Sequence, residues 1–372
     1  MRRCALLVLA VVMLLLTIPC VGAPTLAATT APETSAASFA LLDADSGTLL
    51  AGKDMDTRLP MASTTKIMTA LVVLETLPLD TVVEIPPEAV GIEGSSIYLY
   101  RGEQITVHTL LYALMLSSAN DAAVALALAC DGSIEAFAAR MNQKAAELEL
   151  LNTHFCNPNG LHDREHYTTA RDLARLTAAA LQNPVFAEIV ATRRHTAAQQ
   201  GTGATRLFVN HNRLLRTLDG AIGVKTGFTR AAGRCLVSAA RRDGLTLIAV
   251  TLNDPNDWHD HTALHEWGFS AFVRYTPSPE PLRVPVVGGV ASEVTLLPTG
   301  SLSLLLPADH ADITCTYEAP RFLFAGVKKG EQRGRIVYRL DGEIIGELAL
   351  QTAGDVPAQK KKGFFARLFD LF

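Results

Sequence analysis

The feature that most constrains this chain is a serine and a lysine three residues apart, Ser63 and Lys66, at the start of an apolar segment. Pro60 precedes the pair, and Ser63 is a suitable N-cap for a helix that begins there. Residues three apart share a helix face, so the lysine amine can reach the serine hydroxyl and take its proton. A capped helix with a solvated lysine fits the same spacing, so this motif alone assigns no function. The apolar residues that predict the helix are Ile67, Ala70, Leu71 and Leu74.

A second polar motif contains Ser118 and Asn120 and falls between two apolar segments of helical periodicity, residues 107–115 and 122–129. The motif therefore lies on a tight connection between two buried helices, which can hold both side chains rigidly at a cleft. Capping of the second helix by Asn120 or Asp121 is the simpler alternative.

A third motif, Lys225 followed by Thr226 and Gly227, lies in a segment predicted to be a β-strand, residues 221–226. A charge that protects an edge strand is the simpler explanation of this lysine. Each simple explanation accounts for one motif. None accounts for three motifs in this order, each at the end of a helix or on a strand where a cleft can form.

With the three motifs in place, the sequence resembles the penicillin-binding proteins and class A β-lactamases, which share the set Ser-x-x-Lys, Ser-x-Asn and Lys-Thr-Gly. More closely, it is similar to the low-molecular-mass penicillin-binding proteins, the serine D-alanyl-D-alanine carboxypeptidases of peptidase family S11. This resemblance implies an α/β (α+β) fold of the penicillin-binding-protein/β-lactamase-like transpeptidase type, an antiparallel sheet flanked by helices. The segments that carry the resemblance, within residues 36–275, are 60–71, 111–123, 157–161 and 223–229.

The resemblance also implies a catalytic role for each polar motif. Ser63 would attack the carbonyl between two terminal D-alanines and form an acyl-enzyme, with Lys66 as its base. Burial and the nearby Lys225 would lower the pKa of that base. Ser118 would relay a proton to the leaving amine, and Asn120 would position Lys66 and the substrate amide.

Substrate binding is assigned by the same resemblance to the strand motif. Lys225 and the Thr226 hydroxyl suit a terminal carboxylate, and Gly227 lets the substrate lie close against the strand. The oxyanion donors would be the backbone N–H groups of Ser63 and Phe228. The implied partners are peptidoglycan stem peptides ending in D-Ala-D-Ala, with β-lactam antibiotics as covalent inhibitors, and no cofactor is expected.

Two other functions stay open on the sequence. One is a β-lactamase of the same fold, although Ala119 stands where class A enzymes usually have aspartate. Residues 157–161 occupy the loop comparable to the one that carries their deacylating glutamate, and no assured equivalent of it is found. The other is a catalytically silent protein that senses penicillin or binds the wall. The 33 basic and 37 acidic residues nearly balance, which gives no indication of nucleic-acid binding.

Histidines and cysteines give weaker signals. A predicted helix at residues 257–273 carries three histidines that could bind zinc, although a polar helix start is the preferred interpretation. The cysteines show no CxxC spacing and are treated as core residues, with their pairing left open. These residues are His259, His261 and His265, and Cys130, Cys156, Cys235 and Cys315.

The N-terminus has the pattern of a secretory signal peptide, assigned to residues 1–28. Arg2 and Arg3 precede an unbroken apolar run at residues 5–16, and small residues follow it. The run is short for a membrane span, and an uncleaved anchor is the alternative. We therefore expect a protein secreted across the cytoplasmic membrane and peripheral at its outer face.

Three units are predicted after the signal peptide. They are a D,D-peptidase catalytic domain at residues 29–276, a small β-rich domain at 282–352 and an amphipathic membrane-anchoring tail at 358–372. Aromatic and leucine side chains of the tail share one helical face beside three lysines, which suits a membrane interface. A tail docked on the protein's own surface is the alternative.

Overall fold

The computed structural model describes residues 30–198 and 204–360. The predicted signal peptide, and the predicted tail from residue 361 onward, lie outside the described residues. Among the residues that are described, no single helix is long and apolar enough to cross a membrane. One pair of consecutive helices, Asn120–Asp131 and Ile134–Glu147, meets those criteria jointly, and the two are bent by 84°.

In chain order, two strands are followed by most of the helices, and three further strands then complete the first sheet. A final region of the chain contains only strands. The strands are β1 (Ser38–Asp43), β2 (Leu49–Lys53), β3 (Val82–Glu84), β4 (Gln104–Thr106), β5 (Arg194–Ala198), β6 (Thr205–Val209), β7 (Ala221–Thr229), β8 (Gly233–Arg242), β9 (Leu245–Leu252), β10 (Phe272–Tyr275), β11 (Leu282–Val287), β12 (Glu293–Thr299), β13 (Leu304–Pro307), β14 (Thr314–Glu318), β15 (Leu323–Phe324), β16 (Gln332–Leu340) and β17 (Glu343–Thr352). The helices are α1 (Lys66–Thr76), α2 (Val107–Leu116), α3 (Asn120–Asp131), α4 (Ile134–Glu147), α5 (Ala170–Leu181), α6 (Pro184–Ala191), α7 (Leu214–Thr217) and α8 (Asp257–Ala271).

A five-stranded antiparallel sheet in the order β2-β1-β9-β8-β7 forms the base of the first part. Strand β1 shows how it is covered on both faces. Ala40 and Leu42 pack into the large helical core, and Phe39 and Leu41 pack into a second core that α8 closes. Because side chains alternate across a strand, burial of all of them requires a layer on each face.

Helix α1 is the centre of the helical layer, and α2 to α6 all pack against it. Its residues from Lys66 to Val73 are buried. A helix that is buried all round needs apolar residues all round, which is why its only charged residue in that stretch, Lys66, is informative. A single 3₁₀ turn, Ala62–Thr65, joins α1 to the edge strand β7 and brings Ser63 to the sheet.

Two capping predictions are wrong. Ser63 does not cap a helix, since it lies in the 3₁₀ turn and α1 begins after it, at Lys66, with no side-chain cap. The N-cap of α3 is Ala119, and Asn120 is already helical. In both places the polar side chain is turned to a tertiary contact, which the sequence pattern does not reveal.

Agreement elsewhere follows the strength of the local pattern. The sequence patterns predict a helix at residues 170–181 and a strand at residues 245–252, and both are confirmed to the residue. Helix α6 was not predicted, because its eight residues begin with Pro184 and show too few turns to establish a period. The helix predicted to reach residue 273 ends at Ala271, because the next residues pair with β13.

The predicted β-rich region is confirmed as a six-stranded sheet in the order β14-β16-β17-β12-β11-β15. It has a hydrophobic core of its own, centred on Leu296, Ile336 and Leu350. Strand β10 pairs with β13, and Arg274 donates to Asp43 at 2.5 Å, so this strand contacts the first sheet as well as the strand region that follows it.

Candidate active site

The amine of Lys66 is the point where the site's elements meet. Its Nζ lies 3.0 Å from Ser63 Oγ, 2.7 Å from Asn120 Oδ1 and 2.6 Å from the carbonyl oxygen of Asn159. Lys66 is fully buried. The structure thus joins three residues predicted to be catalytic, Ser63, Lys66 and Asn120, and adds Asn159.

The partners of Lys66 are compatible with a neutral amine. The oxygens of Asn120 and Asn159 accept hydrogen bonds and cannot donate them, so they occupy both N–H groups of a neutral amine. The remaining lone pair then faces the hydroxyl of Ser63. Burial first, and then the charge of Lys225, hold the pKa of Lys66 well below its usual value. Geometry and electrostatics therefore agree on a lysine that can take a proton from Ser63.

The Asn159 carbonyl is held by a loop, residues 157–161, that packs directly against the 3₁₀ turn. Thr69 Oγ1 donates to the carbonyl of Pro158 at 2.6 Å, and the Gly160 N–H donates to Asn157 Oδ1 at 2.7 Å. Gly160 has φ +86°, and a Cβ there would lie 1.9 Å from the carbonyl oxygen of Ala62. Only glycine permits this contact.

A buried histidine, His166, ties the same loop to the turn that carries Ser63. The N–H of Cys156 donates to its Nδ1 at 3.0 Å, so the proton of the neutral ring is on Nε2. Nε2 is 2.7 Å from Thr65 Oγ1, which donates at 2.8 Å to the carbonyl of Ala62. Burial lowers the pKa of His166 to about 4, which keeps the ring neutral near neutral pH. Sequence reasoning missed this residue, because no spacing links it to Thr65.

The second motif forms the wall opposite the sheet. Ser118 has φ +58° and lines the cleft beside Ser63. The Nδ2 of Asn120 donates to the carbonyl of Glu93 at 2.6 Å, which fixes Oδ1 toward Lys66. The neighbouring Asp121 accepts from Ser96 Oγ at 2.6 Å and so holds the segment before α2 over the site.

The strand motif lies on β7, the edge strand nearest the 3₁₀ turn. A Cβ on Gly227 would lie 3.1 Å from the backbone nitrogen of Ser63, so β7 passes directly beside that N–H group. Thr226 and Phe228 line the cleft. Lys225 is buried behind it, and its Nζ donates to the carbonyl of Thr226 at 2.8 Å. Burial lowers the pKa of Lys225 to about 7.

Arg234 is a cleft residue that sequence reasoning did not identify. The antiparallel register places it opposite Phe228 on β8. Its Nη2 donates to Asp257 Oδ1 at 2.7 Å, and its guanidinium lies 5.8 Å from the centre of the Trp258 ring. The cleft has a volume of 340 Å³, and its lining residues are Ser63, Ser95, Ser118, His211, Thr226, Gly227, Phe228, Arg234, Asp257 and Trp258.

A larger cavity, of 530 Å³, lies away from this site, between strand β3 and helices α3 and α4. Its hydroxyl, that of Ser133, accepts from the Ala136 N–H and caps α4. Volume alone would favour that cavity, but Ser63, whose Oγ lies 3.0 Å from the amine of Lys66, lines the smaller cleft, which makes that cleft the candidate site.

The histidines weighed as zinc ligands do not form a common site. His261 and His265 are fully buried, and each ring lies within 2.7 Å of Ser238 Oγ, while His259 is exposed. All four cysteines of the described chain are free; Cys235 is buried, but Cys315 is exposed, so its prediction as a core residue is wrong.

The model of the D-alanyl-D-alanine carboxypeptidase family, peptidase family S11, matches residues 25–256. The chain belongs to this family. It is thus a serine peptidase of the hydrolase class, as the three motifs predicted.

Relatives and solved structures agree with the family over most of the chain. The chain is 32% identical over 346 residues to the D-alanyl-D-alanine carboxypeptidase DacF of Bacillus subtilis, covering 90% of this chain and 88% of that protein. It is 33% identical over 361 residues to DacC of Escherichia coli, covering 91% and 88%. The crystal structure of penicillin binding protein 5 from Haemophilus influenzae matches with a TM-score of 0.68 at 29% identity, covering 88% of this chain and 99% of that one. The predicted fold class is confirmed.

Proposed function

We propose that this peptidase removes the terminal D-alanine from peptidoglycan stem peptides through an acyl-enzyme on Ser63. The observation that carries the proposal is the buried amine of Lys66, 3.0 Å from Ser63 Oγ with two carbonyl oxygens as its other partners. A serine hydroxyl needs a base to become a nucleophile, and this is the base that lies in reach.

Acylation then proceeds in two proton transfers. The Ser63 proton passes to Lys66 Nζ as Oγ bonds to the substrate carbonyl carbon. The C–N bond to the terminal residue breaks, and Ser118 relays the proton from Lys66 to the leaving nitrogen. Free D-alanine then departs. The N–H groups of Ser63 and Phe228 flank the position of the oxyanion, which the close approach of Gly227 to Ser63 supports. Water hydrolyses the ester in a second half-reaction.

The terminal carboxylate of the substrate can bind two groups that line the cleft, the Thr226 hydroxyl and the Arg234 guanidinium. Arg234 can offer a planar pair of donors to a carboxylate, which a lysine cannot. Lys225 is buried behind Thr226, so its effect is the charge it adds near Lys66 and the carboxylate. Because Asp257 already pairs with Arg234, the charge of Lys225 is what makes this end of the cleft cationic, and a cationic end favours substrates with a free C-terminus.

β-Lactam antibiotics present a strained carbonyl and, like the peptide, a carboxylate. They would acylate the same serine. A β-lactamase is the same-fold alternative, and it differs in the second half-reaction. The loop at residues 157–161 contains no carboxylate. It contacts Lys66 through the backbone carbonyl of Asn159. Slow loss of the penicilloyl group is therefore expected.

The location is also a proposal. We infer that the protein is exported through its N-terminal signal and held at the outer face of the cytoplasmic membrane by the tail. The support is the sequence of the tail, in which apolar residues recur at helical spacing beside Lys360, Lys361 and Lys362. In protein that starts at Thr29, truncation after Gln359 should abolish sedimentation with anionic vesicles and leave activity on a soluble peptide unchanged. If both proteins sediment alike, the tail is not an anchor.

The activity is tested by incubating the protein with a peptide that ends in D-Ala-D-Ala and measuring free D-alanine. Release of one D-alanine per peptide supports the proposal. Benzylpenicillin, followed over time, separates the alternatives: stable labelling fits the carboxypeptidase, rapid turnover fits a β-lactamase, and no labelling fits a silent protein.

A further inference from the structure

An apolar patch on the C-terminal sheet has no role in the activity or in the core. Four side chains form it, and their exposed fractions are 52% for Val287, 61% for Val290, 48% for Phe322 and 72% for Phe324. The two phenylalanine rings meet edge to face at 5.4 Å. We name this group the phenylalanine patch.

The exposure of the patch follows from strand register. Strand β15 pairs in parallel with β11, so that Val286 lies beside Leu323 and Val287 beside Phe324. Val286 and Leu323 enter the core of the sheet. Because alternate residues face opposite ways, Val287 and Phe324 must face outward. Polar residues at positions 287 and 324 would satisfy this register equally well. Apolar residues there indicate a contact with a partner outside the described chain.

Two other strongly exposed aromatic residues of the described chain, Phe228 and Tyr98, lie outside the C-terminal sheet. Phe228 lines the cleft, and the Tyr98 N–H donates to Ser96 Oγ in the segment that Asp121 holds. The phenylalanine patch lies on the other sheet and has no such explanation.

The chain leaves the described structure beside this patch. Gly289 forms an isolated bridge with Ala358, and the N–H of Val290 donates to the carbonyl of Pro357 at 2.9 Å. The N–H of Gln359 donates to the carbonyl of Gly288 at 2.9 Å. Lys360, the last residue that the structure describes, therefore follows directly on a segment bonded at the edge of the patch.

Positive charge accompanies the apolar side chains. Arg321 precedes Phe322 and is exposed, and Lys328 and Lys329 follow the same strand and are exposed. Two carboxylates lie beside these lysines: Asp355 accepts from the Lys329 N–H at 2.7 Å, and Glu331 accepts from the Lys328 N–H at 3.2 Å. Apolar side chains with basic residues next to them in the chain suit the headgroup region of an anionic bilayer.

We propose that the phenylalanine patch is a second membrane-contact surface, which inserts into the interface of an anionic lipid bilayer next to the tail. This proposal rests on the membrane association proposed above. A single short anchor gives weak and reversible binding, and a second contact on the same molecule acts at high effective concentration. Two contacts also fix the orientation of the C-terminal sheet on the membrane, which a tail on its own does not.

The test uses fluorescence quenching by brominated lipids in the full chain. Phe324→Trp places an indole in the patch. Ile344→Trp is the control, because Ile344 is also exposed, at 47%, but lies at the tip of the β16–β17 hairpin. We expect brominated phosphatidylglycerol vesicles to quench the Phe324→Trp protein and not the Ile344→Trp protein, after subtraction of the unmodified protein. Equal quenching, or none in Phe324→Trp, overturns the proposal.

A second set of measurements tests whether the tail or a second copy of the chain covers the patch instead of lipid. Combined Phe322→Gln and Phe324→Gln should lower the partition coefficient onto these vesicles at least about tenfold, and Ile344→Gln should not. An emission of Phe324→Trp that shifts to the red on truncation after Gln359, without lipid, means that the tail covers the patch. A blue shift that grows with protein concentration means a second copy, and either result overturns the proposal.

The two proposals fail in different ways. Vesicle binding that depends on the tail, with no quenching at Phe324→Trp, refutes the patch alone. If the unmodified protein releases no D-alanine, the peptidase proposal is refuted, whatever the lipid result. Penicillin labelling of each patch variant verifies that it is folded.

Discussion

The Nζ of Lys66 lies 3.0 Å from the Oγ of Ser63, and its other two partners are oxygens that only accept hydrogen bonds. A charged ammonium in this position would have no carboxylate partner within hydrogen-bond distance and would be fully buried. The three oxygens can serve an ammonium or a neutral amine as hydrogen-bond partners, so burial and the charge of Lys225 are what favour the base form of Lys66.

Lys66→Ala is expected to fold and to acylate slowly. Loss of a positioned general base costs about 10²–10⁴-fold in rate. Lys66→Arg should be equally slow, because a guanidinium keeps its proton at any accessible pH. The measurement is the second-order rate constant of acylation by benzylpenicillin, with thermal unfolding as the check on folding. A Lys66→Arg protein with normal acylation would show that the positive charge, and not the base, matters.

Lys225→Met should move the pH profile of acylation. The charge of Lys225 disfavours the protonated form of Lys66, so its removal raises the pKa of Lys66. The acid limb of the rate profile, in which Lys66 loses its proton, should then move to higher pH. The acylation rate constant would be measured from about pH 5 to pH 9.

The control for that profile is Lys53→Met. Lys53 lies on β2, the opposite edge of the same sheet, and its Nζ donates to the carbonyl of Ala36 at 3.0 Å. This substitution should leave the acid limb unchanged. An acid limb that stays in place in Lys225→Met, or moves to lower pH, contradicts the electrostatic role given to Lys225.

Gly160→Ala should displace the turn that carries Ser63. The added methyl group would lie 1.9 Å from the Ala62 carbonyl oxygen, so the loop or the turn must move. Gly102→Ala is the matched control, because Gly102 has a similar φ of +76° and no atom within 4 Å of a Cβ. Both lose about 1–2 kcal/mol of stability to backbone strain, and only Gly160→Ala should also lose acylation. Equal acylation in the two variants would contradict the contact.

The buried His166 should make the fold sensitive to acid. The pKa of its ring falls from 6.5 to about 4 on burial, so between these values the unfolded state binds the proton and the native state does not. Stability from this ring is therefore complete above pH 6.5 and is lost as the pH falls toward about 4, with a limiting slope of about 1.4 kcal/mol per pH unit. Urea unfolding at several pH values measures it.

His166→Gln separates this effect from the other buried histidines. A glutamine can accept from the Cys156 N–H and donate to Thr65, so acylation should survive, and the slope of stability with pH should decrease. His166→Ala loses both contacts and should acylate more slowly than His166→Gln. An exposed control, His259→Gln, should leave acylation unchanged. Equal acylation in the alanine and glutamine variants would remove the positioning role of His166.

The reacting residues could be predicted from sequence because their geometry is local. Ser63 and Lys66 are within one helical turn, and the motif at Ser118 and Asn120 is a short connection between helices. Their meeting in space was inferred from the family resemblance, since Asn120 is 54 residues from Lys66. What failed was the local role of Ser63, because a 3₁₀ turn and a capped helix share the same residue pattern.

The supporting residues could not be predicted, because each depends on long-range packing. The contact of the Asn159 carbonyl with Lys66 spans 93 residues, and a backbone oxygen leaves no signature in the sequence. Arg234 reaches the cleft through the register of β7 and β8, which the whole hairpin determines. His166 meets Thr65 across 101 residues.

The most direct test of the account is to identify the residue that benzylpenicillin acylates. The protein is labelled, digested and analysed by mass spectrometry, beside Ser63→Ala and Ser118→Ala. We expect one penicilloyl group on the peptide that contains Ser63, none in Ser63→Ala, and slower labelling at Ser63 in Ser118→Ala. Labelling of Ser63→Ala, or an adduct on Ser118 in the unmodified protein, would contradict the assignment of Ser63 as the nucleophile.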